Sequence, residues 1–334
     1  MKSMNTTAIL MMCALGGCGG APNAAEPDGD AAGDALGDGD AAPTNDPPPV
    51  AGPDDPLSLT TPGLYALPQH TYEVAHLAVA LDTMFAEDPS IEHVILYVHG
   101  RACGGGGEPT KSLSEVMPPL EADYHARALM LYWPGSDDSC PLGFPEDRAR
   151  AAGPALAQLL AELATYRQTL PSRFAARRLT LITHSLGNIV LEAAAQPGAF
   201  AQLPPTLVDT VVLSSSATAL ADHAAWVDGI TFSPHVYVPV NDGDNVLTSA
   251  GIGRGTRLGR RLETEPLTGV ATYVDFTASN VNHRYFIVSG QQGAHMKAFY
   301  QAVMTGHAYD FTNPLGITNT EQRGDATIYT FDGQ

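Results

Sequence analysis

The stretch "RLTLITHSLGNIVLEAA", residues 178–194, decides the fold prediction. It begins with an apolar run, Leu179 to Ile182, and ends in apolar residues at helical spacing. Ser185 lies between the two parts, and Gly187 follows it closely. The pattern therefore predicts a buried strand, a tight turn and a helix. Two hypotheses follow for Ser185: it is the nucleophile of a hydrolase, or it is only the serine that begins a buried helix.

The same alternation of strand and helix runs through most of the chain. Strands with apolar residues on both faces, separated by helices, are typical of a parallel sheet that is covered on two sides. We therefore predict an α/β fold with one domain over residues 61–334. The predicted strands are 93–100, 128–135, 179–183, 208–213, 235–240 and 270–276, and the predicted helices are 145–170, 186–196 and 294–306.

Residues 1–18, "MKSMNTTAILMMCALGGC", have a lysine followed by a short apolar core, which is typical of a secretory signal. The segment ends in Leu-Gly-Gly-Cys and resembles the lipobox of bacterial lipoproteins. That resemblance implies cleavage before Cys18 and lipidation of its thiol. We expect an exported protein of the bacterial cell envelope, anchored in the outer membrane. The alternative is a plain signal peptide with an incidental cysteine.

Residues 19–60 are mostly Gly, Ala, Pro and Asp, and they offer no apolar face to bury, which indicates a disordered tether. They carry nine acidic residues and no Lys or Arg, and the whole chain has a net charge of −19. Such a balance argues against a nucleic-acid partner, because phosphates favour a basic surface. The Asp-Gly pairs lack the spacing of a calcium loop.

Two cysteines remain outside the signal, Cys103 and Cys140. In an exported domain they predict one disulfide, and two free thiols are the alternative. Their spacing matches no metal site, and "GGGG" at 104–107 lacks the Lys-Ser/Thr of a phosphate-binding loop. We therefore expect neither a metal nor a cofactor.

A serine nucleophile needs a base within hydrogen-bond reach, and the base needs an acid to orient it. On this fold the chain order is serine, acid, histidine. His283 follows the last predicted strand and is the preferred base, with His295 as the alternative. Asp242 and Asp244 both end a predicted strand, and Asp244 is preferred because the apolar residues after it return to the core.

Two backbone N–H groups are the predicted oxyanion donors. One belongs to Leu186, directly after the serine, and the other belongs to Arg101, in the loop after "YVHG". The turn departs from the Gly-x-Ser-x-Gly pattern at Thr183, which stands in place of the first glycine.

Several segments together resemble the α/β-hydrolase fold, in particular a bacterial branch of the esterase/lipase superfamily whose substrates are largely undefined. They span about residues 90–305 and read, in order, "HVILYVHGR", "LMLYWPGS", "EDRARAAGPALAQLLAEL", "LTLITHSLGNIVLEAA", "VYVPVNDGDNVL", "RLG" and "NHRYF". The resemblance implies Ser185 as nucleophile, Asp244 as acid and His283 as base. The departures are Leu186 for Met, Gly135-Ser136 for Ser, and the Cys-Gly-rich loop after Arg101.

The sequence thus predicts a serine hydrolase acting on a small-molecule carboxylic ester and touching the membrane only through its lipid anchor. No long apolar cap is evident between residues 196 and 235, which favours small or medium soluble esters. Two alternatives stay open: a binding protein on a hydrolase scaffold without activity, and an acyltransferase that uses the same triad.

Overall fold

A computed structural model describes residues 61–68, 70–101, 110–135, 144–279, 281–291, 293–313 and 315–334. The predicted signal (1–18, with Cys18) and tether (19–60) lie outside these residues. So do Cys103 and Cys140, and the predictions made for all of these segments stay predictions.

The described strands form one mixed sheet of ten strands in the order β2-β1-β4-β3-β5-β6-β7-β8-β10-β9. The run from β4 to β8 and on to β10 is parallel, while β1, β2 and β9 pair antiparallel at the two edges. The strands are Gly63–Ala66 (β1), His70–Tyr72 (β2), His93–Val98 (β3), Arg127–Tyr132 (β4), Arg178–His184 (β5), Thr210–Ser214 (β6), Val236–Val240 (β7), Ala271–Asp275 (β8), Ile317–Arg323 (β9) and Ala326–Phe331 (β10).

Among the described residues, α-helices lie in most of the segments that connect parallel strands. The predicted helix over 145–170 is two helices, which meet at Ala152. The close approach of Gly153 to the next helix requires a glycine, because a Cβ there would lie 2.7 Å from the Cβ of Ala193. The helices are Leu77–Glu87 (α1), Thr110–Glu115 (α2), Met117–Tyr124 (α3), Glu146–Ala151 (α4), Gly153–Thr169 (α5), Gly187–Ala194 (α6), Ala224–Val227 (α7), Asn245–Gly251 (α8) and Ala294–Met304 (α9).

The sheet buries apolar side chains on both faces. In β3, Val94, Leu96 and Val98 belong to one hydrophobic cluster, which also contains residues of α1, α5 and α6. The alternate residues Ile95 and Tyr97 belong to the other cluster, together with residues of α3 and α9. Successive side chains of a strand point to opposite faces, so an apolar run of this kind needs helices on both sides. The predicted α/β class with a covered, mostly parallel sheet is confirmed.

Several elements were not predicted, namely β1, β2, α1 to α3, α7, α8 and the hairpin β9–β10. The sequence of β9, "ITNTEQR", is polar and its side chains are mostly exposed, so it lacks the apolar pattern of the other strands. The hairpin turns at Gly324, where φ is 63°, followed by Asp325. A Gly-Asp pair is a known hairpin signal, and it was the available clue. This hairpin extends the sheet beyond β8, which the sequence predicted as the last strand.

Candidate active site

Ser185 occupies the turn between β5 and α6 in a strained conformation. Its φ is 54°, a left-handed value that costs a non-glycine residue roughly 1–2 kcal/mol. The turn brings α6 so close to β3 that a Cβ on Gly187 would lie 2.5 Å from the carbonyl oxygen of Val98. The N-cap position of α6 is taken by Leu186, so Ser185 is not the helix cap. This geometry is that of a nucleophile elbow, in which the turn lifts the serine out of the strand.

A buried hydrogen-bond network braces this turn. The Thr183 hydroxyl donates to Oδ1 of Asn188 at 2.7 Å, and Nδ2 of Asn188 lies 3.1 Å from the carbonyl oxygens of Thr183, Ser185 and Ser214. Asn188 is fully buried. Thr183, which departs from the glycine pattern, therefore has a structural use: its hydroxyl fixes the amide that ties the turn to two strands.

His283 and Asp244 form a close pair beside this turn. Nδ1 of His283 lies 2.7 Å from Oδ2 of Asp244, whose side chain is fully buried. The other carboxylate oxygen, Oδ1, accepts hydrogen bonds from the backbone N–H groups of Val246 and Leu247 and so caps α8. One aspartate, in the loop after β7, thus caps a helix and orients the imidazole.

The two alternative residues have other partners. Asp242 is half exposed and forms ion pairs with Arg260 and Arg261 at 3.1 and 2.8 Å. His295 lies at the start of α9, where its Nδ1 is 2.8 Å from Oδ1 of Asp332. Of the predicted acids and bases, the structure therefore pairs Asp244 with His283.

The backbone of His283 is held by two donors. The carbonyl oxygen of His283 accepts from the Ser215 hydroxyl at 2.7 Å and from Nε2 of His184 at 3.2 Å. His184 also packs its ring against that of His283, with 4.8 Å between centroids. Burial, with a smaller contribution from the nearby His283, holds the pKa of His184 well below its usual value. His184 is therefore neutral at pH 7, with its proton on Nε2.

His99 and Trp133 fix the backbone at the end of β3. Nε2 of His99 accepts from the backbone N–H of Trp133 at 3.0 Å, so its proton is on Nδ1, which donates to the carbonyl oxygen of Gly100 at 2.6 Å. In a trans peptide the C=O and the following N–H point in opposite directions. The N–H of Arg101 therefore points away from the His99 ring.

A cavity of about 350 Å³ brings the predicted residues together. Ser185, Leu186, His283 and Arg101 all line it, while Asp244 is buried behind His283. Gly100 also lines the cavity, and a Cβ on it would lie 2.8 Å from Cβ of Ser185. The remaining lining residues are Tyr97, Ser112, Val116, Phe144, His184, Val246, Asn282 and Arg284.

Within the described ranges, no three His, Cys, Asp or Glu side chains are grouped so that they could hold a metal ion. In the same part of the chain, no helix is both long and apolar enough to cross a membrane.

Three observations point to the same fold: the sheet order, the strained turn at Ser185, and the chain order Ser185, Asp244, His283. The fold is that of the α/β-hydrolases. No protein-family model matches the sequence, and no curated protein matches it.

Solved structures similar to this chain include esterases at low identity. A hyperthermophilic esterase from the archaeon Pyrobaculum calidifontis is 13% identical, with 64% of this chain and 78% of that chain covered and a TM-score of 0.33. A thermophilic carboxylesterase cloned from a metagenomic library is 12% identical, with coverages of 66% and 81% and a TM-score of 0.33. A fungal esterase from Rhizomucor miehei is 11% identical, with coverages of 66% and 73% and a TM-score of 0.36. Values this low say nothing about the substrate of this chain.

Some residues of the site were not found from the sequence. Asn188 and His184 lie in the opening stretch but carry no motif that reveals their contacts. Ser215 has a φ of 44° and follows β6 in a run of three serines, a polar strand end that was the available signal. Arg284, next to His283, gave no signal beyond its place in "NHRYF".

Proposed function

We propose that this protein hydrolyses carboxylic esters, with Ser185 as nucleophile, His283 as general base and acid, and Asp244 as the orienting carboxylate. The observation that supports the proposal most strongly is the left-handed Ser185 in one cavity with a His283 whose Nδ1 is 2.7 Å from a buried carboxylate. Strain of this kind at a cavity is typical of functional residues, and a serine hydroxyl requires such a partner to become nucleophilic.

The reaction follows from the proton positions. In the tautomer whose Nδ1–H donates to Asp244, Nε2 is the acceptor, and it takes the proton of Ser185 Oγ as that oxygen attacks the ester carbonyl. A bond forms between Oγ and the carbonyl carbon, and the carbonyl oxygen becomes an anion. When the intermediate collapses, the alcohol leaves with the proton from Nε2. Water then attacks the acyl-enzyme and gives a proton to Nε2. When this second intermediate collapses, the bond between Oγ and the acyl carbon breaks, Nε2 returns the proton to Oγ, and the acid leaves.

The oxyanion would be bound by the N–H groups of Leu186 and Arg101. Leu186 N–H lies at the N-terminus of α6, where the helix dipole is positive. Arg101 N–H belongs to a peptide whose carbonyl is held on the opposite side by His99. Donors that are fixed before the reaction need no reorganisation, and removing one typically costs roughly 2.7–4 kcal/mol of transition-state stabilisation.

A fluorophosphonate probe tests the proposal directly. We expect the full chain to be labelled at Ser185 and to release para-nitrophenolate from para-nitrophenyl esters. Ser185→Ala and His283→Gln should abolish both, while His295→Gln should keep both. Labelling that persists in Ser185→Ala, or a wild type that neither labels nor hydrolyses any ester, would contradict the assignment.

The same experiment separates the two alternatives. A binding protein on a hydrolase scaffold would show no labelling, and its binding would survive Ser185→Ala. An acyltransferase would be labelled, and an added alcohol would outcompete water for the acyl group. Neither has a specific observation in its favour.

We also propose that the protein is exported and anchored by a lipid on Cys18, as its first eighteen residues suggest. Cells grown with labelled palmitate should yield a labelled protein in the membrane fraction. Cys18→Ala should remove both the label and the membrane association, and an unchanged distribution would contradict the anchor.

A further inference from the structure

Two arginines line the active-site cavity, although the protein is acidic. The sequence has 36 Asp and Glu against 17 Lys and Arg. Among the described residues that line the cavity, the permanently charged side chains are Arg101 and Arg284, and none is Asp or Glu. The permanently charged side chains in the described part of the lining are thus opposite in sign to the net charge of the molecule.

Arg284 lies beside the proposed base. Its backbone N–H donates to Oδ1 of Asn282 at 2.8 Å, which fixes the start of its side chain. Nη1 of its guanidinium lies 3.1 Å from Oε2 of Glu115, and both side chains are partly exposed. An exposed pair of this type is weak, and a guanidinium has five N–H donors. Arg284 therefore keeps the capacity to bind a second anion from within the cavity.

Arg101 is the second cationic group that lines the cavity. The guanidinium carbon of Arg101 lies 4.7 Å from the centre of the Phe144 ring, which also lines the cavity. The guanidinium carbon of Arg254 lies 5.1 Å from the same ring. A cation–π contact holds the Arg101 guanidinium against this part of the wall. Arg101 follows β3 and Arg284 follows β8, so separate elements bring the two guanidinium groups to the cavity.

We propose that the ester substrate carries an anionic group, a carboxylate or a phosphate, on its acyl or its alcohol part, and that Arg284 and Arg101 bind this group during hydrolysis. The inference rests on the proposed ester hydrolysis. A guanidinium fork matches the oxygen pairs of both anions, and it is weakly hydrated, so binding costs little desolvation. The protein would thus select charged monoesters over neutral esters of the same size.

Matched substrates test this preference with the full chain. On the acyl side, the para-nitrophenyl ester of adipic acid is compared with that of adipamic acid, in which an amide replaces the carboxylate. On the alcohol side, the acetyl esters of meta-hydroxybenzoate and of meta-hydroxyphenyl phosphate are compared with that of meta-hydroxybenzamide. We expect kcat/KM for at least one anionic ester to exceed that of its amide partner by about tenfold at low salt, as for a charge-assisted hydrogen bond.

The ratio should fall as ionic strength rises, because salt screens partly exposed charges. A carboxylate-to-amide or phosphate-to-amide ratio at or below about one in every pair would overturn the proposal. The pair with the larger ratio identifies the part of the substrate that bears the charge, and the carboxylate and phosphate esters distinguish the two kinds of anion.

Two arginine variants separate a local contact from the field of the whole protein. Arg284→Gln should lower the anion-to-amide ratio about fivefold, while Arg178→Gln should leave it unchanged. Arg178 is a matched control because it is also partly exposed, pairs with one acid at 3.2 Å and begins β5, at the opposite end of the strand from Ser185. Equal effects of the two variants would overturn the role of Arg284.

Failure of this proposal differs from failure of the proposed function. If neutral and anionic esters are cleaved equally in a Ser185-dependent way, the hydrolase assignment stands and the anion preference is wrong. If no ester in the panel is cleaved and no fluorophosphonate label appears, the hydrolase assignment itself is wrong and this inference falls with it.

Discussion

Asp244 performs two tasks with its two carboxylate oxygens, and one substitution should separate them. Oδ1 caps α8 through two backbone N–H groups, at 2.9 and 3.0 Å, and Oδ2 lies 2.7 Å from Nδ1 of His283. In Asp244→Asn the amide oxygen keeps the cap. The amide nitrogen then faces Nδ1 of His283, so two donors oppose each other unless His283 moves its proton to Nε2. In that tautomer Nε2 no longer accepts the proton of Ser185.

The two tasks have different magnitudes. Loss of the correct tautomer lowers kcat by roughly 10⁴-fold in a triad of this type, equivalent to about 5.5 kcal/mol. Because Asn is as good a cap as Asp, the free energy of unfolding should change by less than about 1 kcal/mol. Asp244→Ala removes both functions, so it should lose as much activity and in addition about 1–2 kcal/mol of stability.

Para-nitrophenyl ester kinetics and urea unfolding of the same preparations measure both effects. Asp242→Asn is the control, because the carboxylate of Asp242 pairs with Arg260 and Arg261 at the surface. This variant should change activity less than about twofold. The reasoning is refuted if Asp244→Asn stays within tenfold of the wild type, or if Asp242→Asn shows the larger loss. It is also refuted if Asp244→Asn is as unstable as Asp244→Ala.

Three further predictions concern the turn at Ser185 and are read by urea unfolding. Asn188→Ala removes hydrogen bonds that hold buried carbonyls and should cost about 3 kcal/mol, and a cost below about 1 would contradict the bracing role. Gly187→Ala places a Cβ 2.5 Å from a backbone oxygen and should lower the free energy of unfolding by about 3 kcal/mol. Gly290→Ala is the control, because a Cβ there has nothing within 4 Å and should leave stability nearly unchanged. Similar losses in the two variants would contradict the close approach at Gly187. Because burial lowers the pKa of His184, the unfolded chain takes up a proton near pH 6.5 before the folded chain does, so stability falls as pH falls below that value. His184→Gln, which keeps a donor but does not titrate, should reduce the loss of stability between about pH 7.5 and about pH 5.5 by about 1 kcal/mol. An unchanged pH dependence would contradict the lowered pKa of His184.

The central elements were predictable because their signals are local. Residues 179–183 and 93–100 are apolar on both faces, and only a strand covered by helices on both sides buries such runs. The edges were not predictable on this basis. β9 is polar and pairs with a single neighbour, β10, so no burial pattern marks it.

The candidate site divides in the same way. Chain order and strand ends were enough to propose Ser185, His283 and a pair of aspartates, because the carboxyl ends of parallel strands meet at one edge of the sheet. Asp244 was preferred over Asp242 only because apolar residues follow it in the sequence. That choice depends on which carboxylate a loop turns inward, and the structure gives Asp244 the contact to His283 and Asp242 two arginines.

By itself, then, the sequence determined the α/β class, the strand, turn and helix around Ser185, and the list of candidate catalytic residues. Each of these depends on neighbours along the chain, through alternation of side chains in strands and periodicity in helices. Only the tertiary structure decided the partners: Asn188 beneath the turn, His184 and Ser215 on the carbonyl of His283, and Arg284 on the cavity wall. Such contacts join residues far apart in the chain, and hydrogen-bond geometry between them is set by packing rather than by local spacing.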